Sequence, residues 1–275
     1  MKTIIVYFAS LEKAHQIVDY AAQVAKRLKL NIHFVYNIDL AAEDFGETKN
    51  EKLTKKDLEK QIIGQRKAEI GRLVEKQDWA ALNITAIYSV YTGTFPEMLQ
   101  TLSDRNDSEL MLFPVEDDKK AAHGKNISQI LRILTLPVWC FSAGSRFKQV
   151  KTMVYASDYK KEDVDVIKWL TGLAKSFEAK IDVLHVYRSE KFKQQLIDAG
   201  LQGLIREKIE YPHIKIHSIK KSNTIKGIAE FSKISFADLV VFIKKEKYFF
   251  QDLLHKSTVE KALKKLDLPI LILKK

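Results

Sequence analysis

The residues of this chain that could do chemistry stand just beyond apolar runs. Asp158 follows the run 150–157. Lys244, Lys245, Lys247 and Lys256 follow the run 238–243 and lead to Ser257 and Thr258. One carboxylate with a group of ammonium groups could meet an anionic ligand. Each also has an ordinary structural reading, Asp158 as a turn cap and Ser257 as the N-cap of a helix. The seven histidines are His15, His33, His123, His185, His213, His217 and His255. None has a metal-binding spacing on a helical run, and no metal site is expected. His255-Lys256-Ser257 puts a base beside a hydroxyl but supplies no third, orienting group. The single cysteine, Cys140, lies inside an apolar run and reads as a buried, inert thiol. It allows no intrachain disulfide, which suits a reducing cytoplasm. Neither Gly-x-Gly-x-x-Gly nor a Walker A pattern occurs. No catalytic constellation emerges, so the chain reads as a non-enzyme.

Strands alternating with helices must position these residues. Apolar runs predict strands over 2–8, 31–36, 82–88, 109–114 and 137–141, then over 150–157, 180–187, 214–219, 238–243 and 269–273. Helical periodicity falls between them: 11–28, a long helix ending near 79, one capped by Thr94, and 125–134, then 162–177, 190–209, 224–235 and 257–266. The order is written twice. Leu134-Thr-Leu-Pro-Val-Trp-Cys-Phe141 and Leu266-Asp-Leu-Pro-Ile-Leu-Ile-Leu273 are one element repeated, each entering an apolar strand through a proline. Lys29-Leu-Asn-Ile-His-Phe-Val-Tyr36 repeats as Lys180-Ile-Asp-Val-Leu-His-Val-Tyr187. Ser142-Ala-Gly-Ser145 is the natural break, giving domains 1–142 and 148–275. The first carries some twenty extra residues, placed most simply within 41–78. The fold class is α/β: two tandem, open, five-stranded parallel sheets of Rossmann-like type, with helices on both faces. Ligands of such sheets bind at the carboxyl ends of the strands, at the topological switch point.

Charge is uneven. Residues 1–145 hold 19 Lys/Arg and 19 Asp/Glu, so the whole net charge of +11 lies in the second half. The lysines there are dispersed and lack Arg/aromatic interleaving, so nucleic-acid binding is not expected. No run reaches the ~18 apolar residues of a membrane span.

Two such units resemble the universal stress protein family in its tandem form. The resemblance covers nearly the whole chain. It is carried by Tyr155-Ala-Ser-Asp-Tyr159, by Ile181-Asp-Val-Leu-His-Val-Tyr187, by Ala237-Asp-Leu-Val-Val-Phe242 and by the two Leu-Pro strands. It implies the adenine-nucleotide α-hydrolase-like variant of the fold. It further implies an ATP site built from a first-strand Asp and a Gly-x2-Gly-x9-Gly-(Ser/Thr) loop, whose backbone amides cradle phosphates. Asp158 matches that Asp. The second half's loop, 244–258, has no glycine, and Lys256 stands where the last Gly should be. The first half keeps Gly124 but lacks the hydroxyl and the Asp, and carries Glu116, Asp117 and Asp118. The family's ATP loop is thus degenerate in both halves, and no cofactor is assigned. Any ligand would involve Ser157, Asp158, Val186, Lys244, Lys245, Lys256, Ser257 and Thr258. The resemblance implies a cytoplasmic, non-enzymatic stress-response protein. Its tandem domains would form a pseudo-dimer and act on other proteins or on a second copy. The alternative is a sensor of a nucleotide or other anion in the second domain.

Overall fold

The computed structural model describes residues 2–40, 55–115, 123–160, 162–188, 191–244 and 256–274. The chain divides into two compact units, Met1–Phe147 and Lys148–Lys275. Unit 1 runs β1 (Thr3–Phe8), α1 (Ala14–Leu28), β2 (Asn31–Ile38), α2 (Lys55–Glu75), β3 (Ala86–Thr92), α3 (Phe95–Ser103), β4 (Ser108–Val115), α4 (His123–Ile133) and β5 (Val138–Ser142). Unit 2 repeats the order with β6 (Thr152–Ser157), α5 (Asp163–Phe177), β7 (Lys180–Tyr187), α6 (Lys191–Lys208), β8 (Ile214–Lys220), α7 (Thr224–Ile234), β9 (Leu239–Lys244), α8 (Lys256–Lys265) and β10 (Ile270–Lys274). The sheet of unit 1 is ordered β3-β2-β1-β4-β5 and that of unit 2 β8-β7-β6-β9-β10. All pairings within each sheet are parallel. The doubly wound α/β fold expected from the alternation is therefore the fold observed.

The central strands are apolar throughout because helices cover both faces. Ile4, Ile5 and Val6 of β1 and Met153 and Val154 of β6 are fully buried. Fully burying one such side chain is worth roughly 1.5–3 kcal/mol. Polar ties add to this packing in both units. In unit 1 the Trp139 indole N–H donates to the Tyr20 hydroxyl at 3.1 Å, and the Tyr20 ring stacks on Phe141 at 3.9 Å. In unit 2 the Tyr211 hydroxyl donates to the Ala179 carbonyl at 2.5 Å.

α1 and α5 end alike. Lys29 and Glu178 both sit at φ 56° in the left-handed region. Their amides donate to the carbonyls of Ala25 and Ala174, and the next residues, Leu30 and Ala179, donate to the same carbonyls. The turn satisfies helix-end carbonyls and aims the chain into β2 or β7.

The extra residues of unit 1 fall mainly between β2 and α2. Sixteen residues separate those elements, against three between β7 and α6. Two expected boundaries move. α2 stops at Glu75, and β3 starts at Ala86, four residues later than its apolar pattern suggests. The cause is a turn. The Trp79 carbonyl accepts from the amides of Leu82 and Ile84, and Asn83 takes φ 54°, which asparagine tolerates better than most residues. Leu82 therefore belongs to the turn, and buried Ile84 precedes the strand.

Candidate functional site

The strand order of unit 2 reverses between β6 and β9, so the crevice expected to hold a ligand lies at their carboxyl ends. Pairing of β6 with β9 stops at Tyr155–Val241, and Ala156 and Ser157 continue beyond it on β6. Lys244 ends β9 and is half-buried.

The turn after β6 is organised by Asp163, the first residue of α5, which is completely buried. Its carboxylate accepts from the Tyr155 hydroxyl at 2.7 Å, the Ser157 hydroxyl at 2.5 Å and the Lys160 amide at 2.9 Å. A carboxylate at a helix N-terminus meets the positive end of the dipole and unbonded amides. Burial pushes the Tyr155 phenol well above its usual range, and the facing Asp163 charge adds to this. Tyr155 is thus a fixed donor. Ser157 donates to the buried Asp163 while accepting from the Tyr159 amide at 2.9 Å, so its oxygen is occupied on both sides.

Asp158 matches the acid that the resemblance assigns to a nucleotide, but it faces Lys160 of its own turn, Oδ2 to Nζ 3.2 Å. Tyr159 takes φ 54°, an uncommon conformation for an aromatic residue. That backbone bend lays its ring on His185 at the end of β7, centroids 4.5 Å apart and planes 25° from parallel. Its hydroxyl reaches the His217 carbonyl and the Ser218 hydroxyl of β8, both at 3.2 Å. Ser218 donates to Asp198 of α6 at 2.7 Å, and Gln194 donates to both Asp198 and Ser218. His185 completes the set, its Nδ1 proton going to the Ser157 carbonyl at 2.9 Å. The Tyr159 side chain therefore crosses the carboxyl end of β7, and its polar atoms are met by the protein itself. Burial pushes its phenol far above the usual range, so it stays a neutral donor.

Val186 is 6% exposed and points away from this ring, under α7. A Cβ built on Gly227 of α7 would lie 3.1 Å from one Val186 methyl and 3.2 Å from the other. The structure thus brings Ser157 and Asp158 into one turn, places Lys244 at the neighbouring strand end, and seats Val186 in the core. Lys245 and Lys247 lie outside the described residues. Lys256, Ser257 and Thr258 form the first turn of α8, so Ser257 is the helix's second residue and not the cap before it. Their side chains lie outside the described residues.

Sequence reasoning missed Asp163, Tyr159 and His185 as one cluster. The legible signal was an acid at the start of a helix within six residues of a strand's polar end. It also missed a polar cluster in unit 1. His33 of β2 is 1% exposed. Its Nδ1 lies 2.9 Å from the Arg105 guanidinium and its Nε2 2.8 Å from the Ser89 hydroxyl. Arg105 can only donate, so Nδ1 is the bare nitrogen and Nε2 carries the proton. Burial, helped by the Arg105 charge, lowers the His33 pKa to about 4. In unit 2 the partly exposed His217 has its Nε2 3.0 Å from Asp182. Burial works to raise Asp182, but His217 and Lys180 together hold it below the usual carboxylate range. Among the described residues no group of three metal-ligating side chains occurs, and no helix is long and apolar enough to cross a membrane.

No protein-family model matches the sequence, and no curated protein matches it significantly. Solved structures do. A universal stress protein from Archaeoglobus fulgidus DSM 4304 superposes with a TM-score of 0.73 at 14% identity, over 99% of this chain and 98% of that one. A functionally unknown protein from Pseudomonas aeruginosa PAO1 superposes with a TM-score of 0.58 at 12% identity, over 100% and 92%. The cytoplasmic domain of a prokaryotic cation chloride cotransporter does so with a TM-score of 0.56 at 12% identity, over 98% and 94%. The chain has the tandem fold of universal stress proteins, a fold that also serves in a transporter's cytoplasmic domain and so does not by itself assign a function.

Proposed function

We propose that this chain is a non-enzymatic, universal stress protein-like protein that acts in stress response through contacts with other proteins. One observation carries the reading. Beside the β6–β9 crevice, the carboxyl end of β7 is crossed by Tyr159, stacked on His185 and hydrogen-bonded to β8. Asp158 is already paired with Lys160. A nucleotide extending from the crevice over β7 would have to displace the Tyr159 ring, and one using Asp158 would have to break an ion pair, without the glycine loop that normally supplies phosphate donors. We place the protein in the cytoplasm, in keeping with a lone cysteine, Cys140, that is buried and whose thiol burial pushes far up.

The tandem arrangement supports a pseudo-dimer. Each five-stranded sheet ends in one apolar strand, β5 or β10, and an apolar edge needs a partner. We assign that role to the sister unit.

A second reading, a sensor of a nucleotide or another anion, is favoured by the charge of the second half and by Lys244 at the end of β9. Thermal unfolding with millimolar ATP, ADP or AMP and magnesium separates the two. A ligand at ~100 times its dissociation constant adds about 2.7 kcal/mol, which is about 5 °C in Tm if the two units unfold together and about 10 °C if the second unfolds alone. We expect no shift, and a single cooperative transition from two units that pair. A shift of several degrees with any nucleotide would move the assignment to the sensor. Two separate transitions would remove the pseudo-dimer.

A further inference from the structure

β3 and β8 occupy the same place in their sheets, each the outer strand beyond β2 or β7. Among the described residues each pairs on one side only. A strand edge that must stay single is normally guarded by charge, lysine above all. β8 follows the rule: its exposed positions are Lys215 and Lys220. β3 does not. From Ala86 to Thr92 it reads Ala-Ile-Tyr-Ser-Val-Tyr-Thr, with no charge, proline or glycine, and Ile87 and Tyr88 are 47% and 38% exposed. Five of the seven, Ile87, Tyr88, Val90, Tyr91 and Thr92, favour extended structure.

We propose that β3 is a self-pairing edge through which two copies of this chain associate, β3 against β3, antiparallel about a two-fold axis. A second copy is the partner that an uncharged edge fits. The two strands meet without repulsion, whereas the same pairing of β8 would gather four lysines on one short ribbon. A two-fold contact must be self-complementary. Centring the pair on Ser89 sets Ile87 opposite Tyr91 of the second copy and Tyr88 opposite Val90. Both are aromatic–β-branched pairs, which are among the favourable cross-strand combinations. Tyr88 is also pre-seated. α2 passes it at Gly71, where an added Cβ would come within 2.7 Å of the Tyr88 hydroxyl. Side chains held before association lose less freedom on binding. The inference is independent of what unit 2 binds.

One seven-residue strand per copy buries less than the ~800 Å² per partner of a standard interface, so the dimer is weak. Sedimentation velocity of the full chain from about 5 to 500 μM reads it directly. The expected result is a concentration-dependent monomer–dimer equilibrium that Ile87→Lys weakens at least tenfold and Ile87→Val preserves. Ile87 is exposed, so Ile87→Lys should keep the wild-type circular dichroism spectrum and unfolding midpoint. A wild-type chain that stays monomeric to 500 μM would overturn the proposal. So would an association that a folded Ile87→Lys variant leaves unchanged.

Discussion

Acidification should destabilise the protein through His33 of unit 1. The folded protein holds this ring neutral: Arg105 donates to Nδ1 and the Nε2 proton goes to Ser89. Protonating Nδ1 would set two donors face to face at 2.9 Å in a buried site. The pKa falls from 6.5 to about 4. A base whose folded pKa is depressed binds its proton more readily when unfolded. Its stabilisation is therefore complete above pH 6.5, declines between 6.5 and about 4, and changes no further below that. The gap corresponds to roughly 3 kcal/mol, with a steepest slope of about 1.4 kcal/mol per pH unit. The perturbation is His33→Gln, whose amide can accept from Arg105 and donate to Ser89 but does not titrate. The assay is urea unfolding between pH 7.5 and 4, followed by tryptophan fluorescence in a Trp169→Phe background. The remaining tryptophans, Trp79 and Trp139, both lie in unit 1. The difference in stability between the two chains should shrink by roughly 3 kcal/mol across that window. A difference that stays flat, or that grows as pH falls, would refute the assignment of His33 as a buried neutral acceptor.

Two further substitutions test the packing around the crevice of unit 2. Asp163→Ala removes the acceptor of Tyr155, Ser157 and the Lys160 amide at once, and leaves buried donors unmet. It should cost about 3–5 kcal/mol in urea unfolding, against about 1 kcal/mol for Tyr155→Phe. Gly227→Ala brings a methyl within 3.1–3.3 Å of Val186 and Ile219. The crowding should outweigh the ~1 kcal/mol that alanine gains in a helix. In a double-mutant cycle with Val186→Ala, part of the loss should be recovered, with a coupling of about 1 kcal/mol.

The strands and their order were legible because their apolar runs are uninterrupted and because each run is met twice. β7 was placed to the residue, since both copies begin at a lysine and end at Val-Tyr. β3 was the weakest placement. It is the outer strand of its sheet, half exposed, and carries no long apolar run, so the apolar Leu82 and Ile84 pulled the assignment into the preceding turn. At the crevice, Asp158 and Ser157 were legible by position after a strand. Tyr159 was not, because its role depends on a left-handed φ that aromatic side chains rarely adopt and that no local pattern announces. Asp163 was hidden for another reason. An acid at a helix start is so common that nothing in the sequence separates a solvated one from one that is 0% exposed. His33 and Ser89 are 56 residues apart, and only the parallel register of β2 and β3 joins them.

The two left-handed helix ends show what fixes the joint between helix and strand in each unit. Lys29 and Glu178 keep the same backbone angle and donate to the carbonyl of an alanine four residues back, although the side chains have changed sign and neither is glycine. Each joint is therefore set by the path of the backbone and by the alanine carbonyl on which two amides close, not by the side chain at the turn. The side chain there can carry a charge of either sign without changing where the next strand begins, so the two units can share one backbone path while their charges differ.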